Sequence, residues 1–275
     1  MKSKFLFTLL YVSCTYGCFS QNSNTSFLIA KYDFSVILDT TSKNEIRKND
    51  LFVLKINKIS SNFYSEIRHF GIKQRHDYLQ KNSTDGVISI DNSKMNFGDA
   101  DKESECVEIN FDKKYYRVYD RISKTPHYYE DSLTTPVWML LPDTITILNE
   151  PCQKATSFYR GRNIIAWFAK NIPLQQGPWL YNGLPGLIMK VEDTRDQFSF
   201  VCRELIAKPQ TEPVFIEYEN AEKVSKEIAL KRKRLYIEDP IASSAQEWGV
   251  TMSYPGFDTN KPRKKKPYNP LDLGN

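Results

Sequence analysis

The sequence predicts an α+β chain dominated by β structure. It reads as a single domain built on an antiparallel, meandering sheet, open or closed into a partial barrel, with one or two helices packed on it. Three observations point there. From residue 115 onward, β-branched and aromatic runs recur with turn residues between them. Only two segments carry a helical spacing of apolar residues. The 275 residues hold 40% apolar and 13% aromatic residues, enough to fill one core and too many for a disordered chain. There is no internal repeat, and a net charge of +5 is too small to call for a nucleic-acid partner.

Taken in order, the chain opens with Lys2 and Lys4, an apolar run over 5–12 and small residues ahead of Gln21. This is the pattern of a signal peptide over 1–20 cut near Ser20-Gln21, so the expectation is export to the periplasm or beyond. The apolar run is too short to span a bilayer. Its removal takes away Lys2, Lys4, Cys14 and Cys18, leaving a charge of +3 and three cysteines, Cys106, Cys152 and Cys202. An odd cysteine count in an oxidising compartment admits one internal bridge at most.

Residues 27–38 and 51–56 read as two strands of a hairpin joined by the polar stretch 39–50. Ser60 or Ser61 is placed to cap a helix to about residue 80, with Phe63, Ile67, Phe70 and Tyr78 loosely on one face and Gly71 against it. Residues 82–100 are polar and rich in turn formers. Strands follow at 115–122, 127–130, 144–148, 152–159 and 163–168. The stretch 173–186 holds three prolines and three glycines and must be irregular. A hairpin then covers 187–192 and 198–206, with Asp193 and Asp196 as turn residues. Asn220 opens a helix over 221–235 whose Val224, Ile228 and Leu235 face inward. Its run Lys231-Arg232-Lys233-Arg234 suits the negative end of the helix dipole. The domain is thus expected over 21–259, followed by a basic, proline-rich tail over 260–275 without fixed structure.

The stretch 152–204 is the most distinctive. It contains Cys152-Gln153-Lys154-Ala155, Arg160-Gly161-Arg162, Ala166-Trp167-Phe168, Gly177-Pro178-Trp179 and the hexapeptide Gly183-Leu184-Pro185-Gly186-Leu187-Ile188. Together with Ser61-Asn62-Phe63-Tyr64-Ser65 and the terminal Asn269-Pro270-Leu271-Asp272-Leu273, these motifs resemble the GLPGLI family of exported Bacteroidota proteins. The resemblance implies an exported relative and implies no reaction.

The motif has a physical reading of its own. Gly183 and Gly186 can reach backbone angles closed to other residues, whereas Pro178 and Pro185 fix φ and withhold an N–H. Trp179, Leu184 and Leu187 add apolar surface, so the loop folds over the sheet either as a structural plug or as a lid gripping a ligand. Arg160 and Arg162 fit either a bidentate grip on a carboxylate or phosphate, or a turn paired with Asp or Glu. Cys152 and Cys202 lie in strand-like runs and are the expected bridge, with Cys106 left over in an acidic, loop-like stretch. His69 and His76, about 10 Å apart along a helix, are too distant to share a metal. No HExxH, CxxC, EF-hand or G-x-S-x-G pattern occurs, so no metal, cofactor, acid, base or nucleophile is identifiable.

The function expected on these grounds is a non-catalytic binding or carrier protein of the cell envelope, holding a hydrophobic or peptide ligand on Arg160, Arg162, Trp179, Leu184 and Leu187. The alternatives are an accessory protein docking on an outer-membrane transport component and a hydrolase with an unrecognised site. The run Arg263-Lys264-Lys265-Lys266 is suited to touch anionic lipid head groups.

Overall fold

The computed structural model describes residues 27–84, 87–88, 102, 104–122, 125–207, 218, 220–249 and 265–274. The expected signal peptide and the residues Arg263 and Lys264 lie outside the described residues. The elements run β1 (Leu28–Ile37), β2 (Arg47–Ile56), β3 (Ser60–Ser65), α1 (Glu66–Lys81), β4 (Ser83–Thr84), β5 (Val87–Ile88), β6 (Cys106–Asn110), β7 (Tyr115–Ile122) and β8 (Thr125–Ser132). They continue β9 (Met139–Ile147), β10 (Glu150–Tyr159), β11 (Arg162–Ala169), β12 (Leu187–Asp193), β13 (Phe198–Ile206), β14 (Glu222–Lys223), α2 (Lys226–Glu238) and α3 (Pro240–Trp248).

One sheet of twelve strands carries the fold, in the order β14-β8-β7-β6-β3-β2-β1-β13-β12-β11-β10-β9. All its pairings are antiparallel except the two-residue match of β14 to β8. The chain meanders outward from β1 to β8, crosses to the far edge at β9, and meanders back until β13 pairs with β1. That crossing fixes the shape. Ten strand spacings separate β8 from β9 in the sheet order, about 48 Å if the sheet were flat. Residues 133–138 bridge them, and seven extended steps reach only about 25 Å. The sheet must therefore curl, and it does so without closing.

The curled interior is packed with aromatic rings. Alternate residues of β1 (Leu28, Ala30, Tyr32, Phe34, Val36) point into it with Phe52, Phe63, Phe198, Phe200 and Tyr181. Phe52 stacks on Phe63 with ring centroids 4.7 Å apart, and Phe34 on Phe200 at 4.5 Å. The opposite face carries a smaller cluster of Ile29, Val53, Tyr64, Cys106 and Tyr218.

Several elements differ from the sequence expectations. Residues 60–65 form strand β3, not the first turns of a helix, because Ser61, Phe63 and Ser65 alternate inward and Phe63 pairs with Leu54. The helix starts at Glu66, just after Ser65, whose hydroxyl accepts from the Arg68 N–H at 3.2 Å. Phe70, expected on the inner face, is exposed. Cys106 sits on β6 rather than in a loop. The second helix begins at Ser225, whose hydroxyl caps the Ile228 N–H, and runs to Glu238. It buries Ala229 and Lys233 and leaves Ile228 exposed, so the basic run lies in mid-helix instead of at the dipole's end. A third helix, α3, follows at once, capped by Asp239 with Pro240 in its first turn.

Candidate functional site

The glycine-proline segment between β11 and β12 packs as a plug. Trp179, Leu180, Tyr181, Leu184, Leu187 and Ile188 are all buried in the main core. The loop's own backbone satisfies it: Gly183 N–H donates to Gln175 O at 3.0 Å, Leu187 N–H to Ile172 O at 2.8 Å and Ile188 N–H to Gln176 O at 2.9 Å. Gly183 has φ 87, and a Cβ there would lie 2.2 Å from the Thr135 methyl. Gly186 is pressed on the strand before it, with a Cβ meeting the Ala169 carbonyl oxygen at 2.2 Å. Pro178 and Gly177 are buried and Pro185 is exposed. Trp179, Leu184 and Leu187 thus spend their apolar surface on the core.

The plug is locked to the crossing segment. Asn182, buried, donates to Thr134 O at 3.2 Å and accepts from the Thr135 hydroxyl at 2.9 Å, while its carbonyl accepts from Trp138 Nε1 at 2.8 Å. The distinctive motif thus closes the curl, holding the two flanks of the sheet together.

Arg160 and Arg162 flank the turn between β10 and β11, where Gly161 has φ 78. They do meet carboxylates, but not exposed ones. Arg162 is 4% exposed and binds Asp193 Oδ2 at 2.8 Å and Gln197 Oε1 at 2.9 Å. Asp193 is accordingly a buried ion-pair partner rather than a solvated turn residue, and its Oδ1 also accepts from the Gln197 N–H at 2.7 Å. The other donors of Arg162 go to the C-terminal segment: Asn269 Oδ1 at 2.6 Å, Pro270 O at 2.5 Å and Leu271 O at 3.2 Å. Arg160 donates to Asp272 Oδ2 at 2.5 Å and to the Tyr116 hydroxyl at 3.2 Å. Its guanidinium lies over the rings of Tyr159, Tyr116 and Trp179, 5.1, 5.4 and 5.7 Å from their centroids. Burial works against its charge, but Tyr159, Tyr116 and Asp272 more than offset this and hold its pKa above the ordinary value. Tyr116 shifts upward as well, by burial, with Arg160 opposing.

The tail is therefore not free over 265–274. Besides the arginine contacts, Asn269 Nδ2 donates to Ile37 O at 2.8 Å and Leu273 N–H to Arg160 O at 3.0 Å. Leu271 packs on the main core. Lys266 N–H donates to Glu238 O at 2.8 Å, and Lys265 Nζ lies 3.2 Å from the Glu238 carboxylate. The sequence contained these partners, yet Asn269 and Asp272 carry no local signal of docking, since what they meet lies over a hundred residues away.

The cysteine expectation is also corrected. Cys152 and Cys202 are free thiols, like Cys106, and all three are buried. Cys152 and Cys202 share the main core from strands three places apart in the sheet. Burial pushes the Cys152 thiol up to about 11 and those of Cys106 and Cys202 up to about 12. At neutral pH these groups are protonated and poor nucleophiles.

A second polar cluster lies between α2 and the strands β7 and β8. Lys233 Nζ sits 2.7 Å from Glu105 and 3.4 Å from Asp120, and Asp120 also accepts from the Ser104 hydroxyl. Lys233, Glu105 and Asp120, with His127 and Tyr129, line a cavity of about 10 Å³, room for a single water. Among the described residues no three His, Cys, Asp or Glu side chains are grouped to hold a metal ion. No described helix is long and apolar enough to cross a membrane.

The comparisons with known proteins agree with this picture at the level of fold. A family model described as a protein of unknown function (Porph_ging) matches residues 148–190, the stretch from β10 to the start of β12. No curated protein matches the chain. Among solved structures, that of PNGF-II in the P21 space group is similar with a TM-score of 0.51 and 13% identity, over 75% of this chain and 32% of that one. The C2 form gives 0.49 and 13%, over 74% and 32%. The chain thus matches only about a third of the solved chains' length. The likeness is one of fold alone.

Proposed function

We propose that the chain is a non-catalytic protein of the bacterial cell envelope, exported by its N-terminal segment, that works by docking a partner protein. The carrying observation is the contrast between its two surfaces. Inside the curl, where a carried ligand would sit, Trp179, Leu184 and the aromatic rings fill the space. Outside, along the open edge of the sheet, large apolar side chains stand in solvent: Val137 in the crossing segment is 89% exposed, Phe158 on β10 67% and Met139 on β9 61%. Met139 lies opposite Thr156, so it shares a face with Phe158 two residues on. The nine residues of β9 also offer an outer edge with no strand beside it among the described residues. Exposed apolar groups at an open edge favour association. The neutral thiols and the occupied arginines support no hydrolytic reading.

The occupant implied is the apolar surface of another envelope protein, consistent with an outer-membrane transport component. A photo-cross-linking residue in place of Val137, introduced in the native host, tests this. One defined envelope protein should be captured, and capture should be lost when Met139→Asp and Phe158→Asp are added. Purified protein carrying a stoichiometric small apolar molecule in native mass spectrometry, with no cross-link, overturns the reading.

A further inference from the structure

We propose that the groove between Arg160 and Arg162 is a binding site for a short acidic peptide of the order Asn-Pro-aliphatic-Asp-aliphatic, and that residues 269–273 are its resident intramolecular occupant. The proposal rests on other side chains than the docking reading above and is independent of it.

Part of the groove is held by the sheet itself. Arg162 is held from behind by Asp193 and Gln197, and Arg160 by the Tyr116 hydroxyl and the rings of Tyr116, Tyr159 and Trp179. Each guanidinium thus has part of its donor fork fixed by the sheet and the remainder aimed at the passing chain. Pre-organised donors of this kind lower the ordering cost of binding. The contacts with the strap are those of recognition, residue by residue. Asn269 is read at both ends of its amide, by Arg162 and by Ile37 O. The carbonyls of Pro270 and Leu271 are read by Arg162, which takes a proline because no N–H is asked of it. Leu271 enters the core, Asp272 meets Arg160 with Lys226 3.8 Å away, and Leu273 N–H donates to Arg160 O.

A second observation is independent of the charges. Gly161, between the two arginines, would place a Cβ 2.8 Å from both Gly274 O and Leu273 Cβ. The floor of the groove is glycine where an extended chain lies directly on it. The strap belongs to no helix or strand and is joined to α3 through residues 250–264. An occupant tethered in this way competes at an effective concentration of order millimolar, so the wild-type chain masks its own site.

The test uses full-length chains and a labelled decapeptide of the sequence 266–275. Asp272→Arg sets the strap against Arg160 and Lys226 and should open it, raising hydrogen exchange at 269–273. The opened chain should bind the decapeptide at least about tenfold more tightly than wild type, because the tethered competitor is gone. A decapeptide carrying the same Asp-to-Arg change should not bind. Asp272→Asn, which keeps the shape, gives the same readings if the arginine variant does not fold. An opened strap without peptide binding overturns the proposal, as does a strap still protected after the charge is reversed. Sedimentation of the Asp272→Arg chain with an Arg160→Ala chain identifies the source. A mixed dimer assigns the peptide to a second copy, and monomers that still bind the decapeptide assign it to another polypeptide.

Discussion

At the residue scale, the buried guanidinium of Arg162 makes five hydrogen bonds and bears the sharpest consequences. Removing it by Arg162→Ala leaves Asp193 charged and buried without its partner, which costs about 3–5 kcal/mol. Urea unfolding should show this as a large fall in midpoint at unchanged slope. Gly186→Ala should cost about 1–3 kcal/mol or more in the same assay, since the added carbon collides with a backbone oxygen and not with a mobile side chain. The thiols set a limit at alkaline pH. Their folded values of about 11 and about 12 lie above the ordinary 9.0, so the folded state keeps protons that the unfolded state releases. Their contribution is intact below pH 9 and declines as pH rises from there through 11 to 12, by up to about 1.4 kcal/mol per pH unit for each thiol. Unfolding measured at pH 8 and pH 10.5 should differ accordingly, and less so in a Cys106→Ala, Cys152→Ala, Cys202→Ala chain.

Elements assemble where local chemistry and burial agree. Helices α2 and α3 each start on a side-chain cap, Ser225 and Asp239. Ser225→Ala should lower stability by about 1 kcal/mol through the lost bond to the Ile228 N–H, measurable as a shift in thermal midpoint. Strand β3 illustrates the opposite relation. Its run Ser60-Ser61-Asn62-Phe63-Tyr64-Ser65 carries helix-cap residues, and the sequence alone favours a helix there. Pairing with β2 and β6 on both sides, and the stacking of Phe63 on Phe52, override that preference. The edge strand β9 is interrupted by Pro142 and a register shift opposite Gln153–Ala155, devices that limit uncontrolled pairing along an open edge.

The whole molecule depends on a few long-range ties that close a wide sheet into a bowl. Residues 133–138 cross the opening and are fastened to the plug through Asn182, and Tyr116 on one flank meets Arg160 on the other. Asn182→Ala should therefore loosen the crossing more than it disturbs either meander. Hydrogen exchange should rise at 133–138 and 177–183, with little change in β1 and β2.

The sequence by itself determined the β-rich class, most of the strands from residue 115 onward, the hairpins within 27–56 and 187–206, and the irregular glycine-proline segment. These rest on alternation, turn residues and backbone limits, which act over a few residues. It also supplied the arginine pair and the terminal Asn-Pro-Leu-Asp-Leu motif, but as separate items of chemistry. Only the tertiary structure decided that they meet, that Asp193 is a buried counter-ion, that β3 is a strand, and that the distinctive loop is a plug. Those outcomes follow from the curl of the sheet, which brings residues more than a hundred positions apart into contact. No local spacing in the chain encodes that curvature.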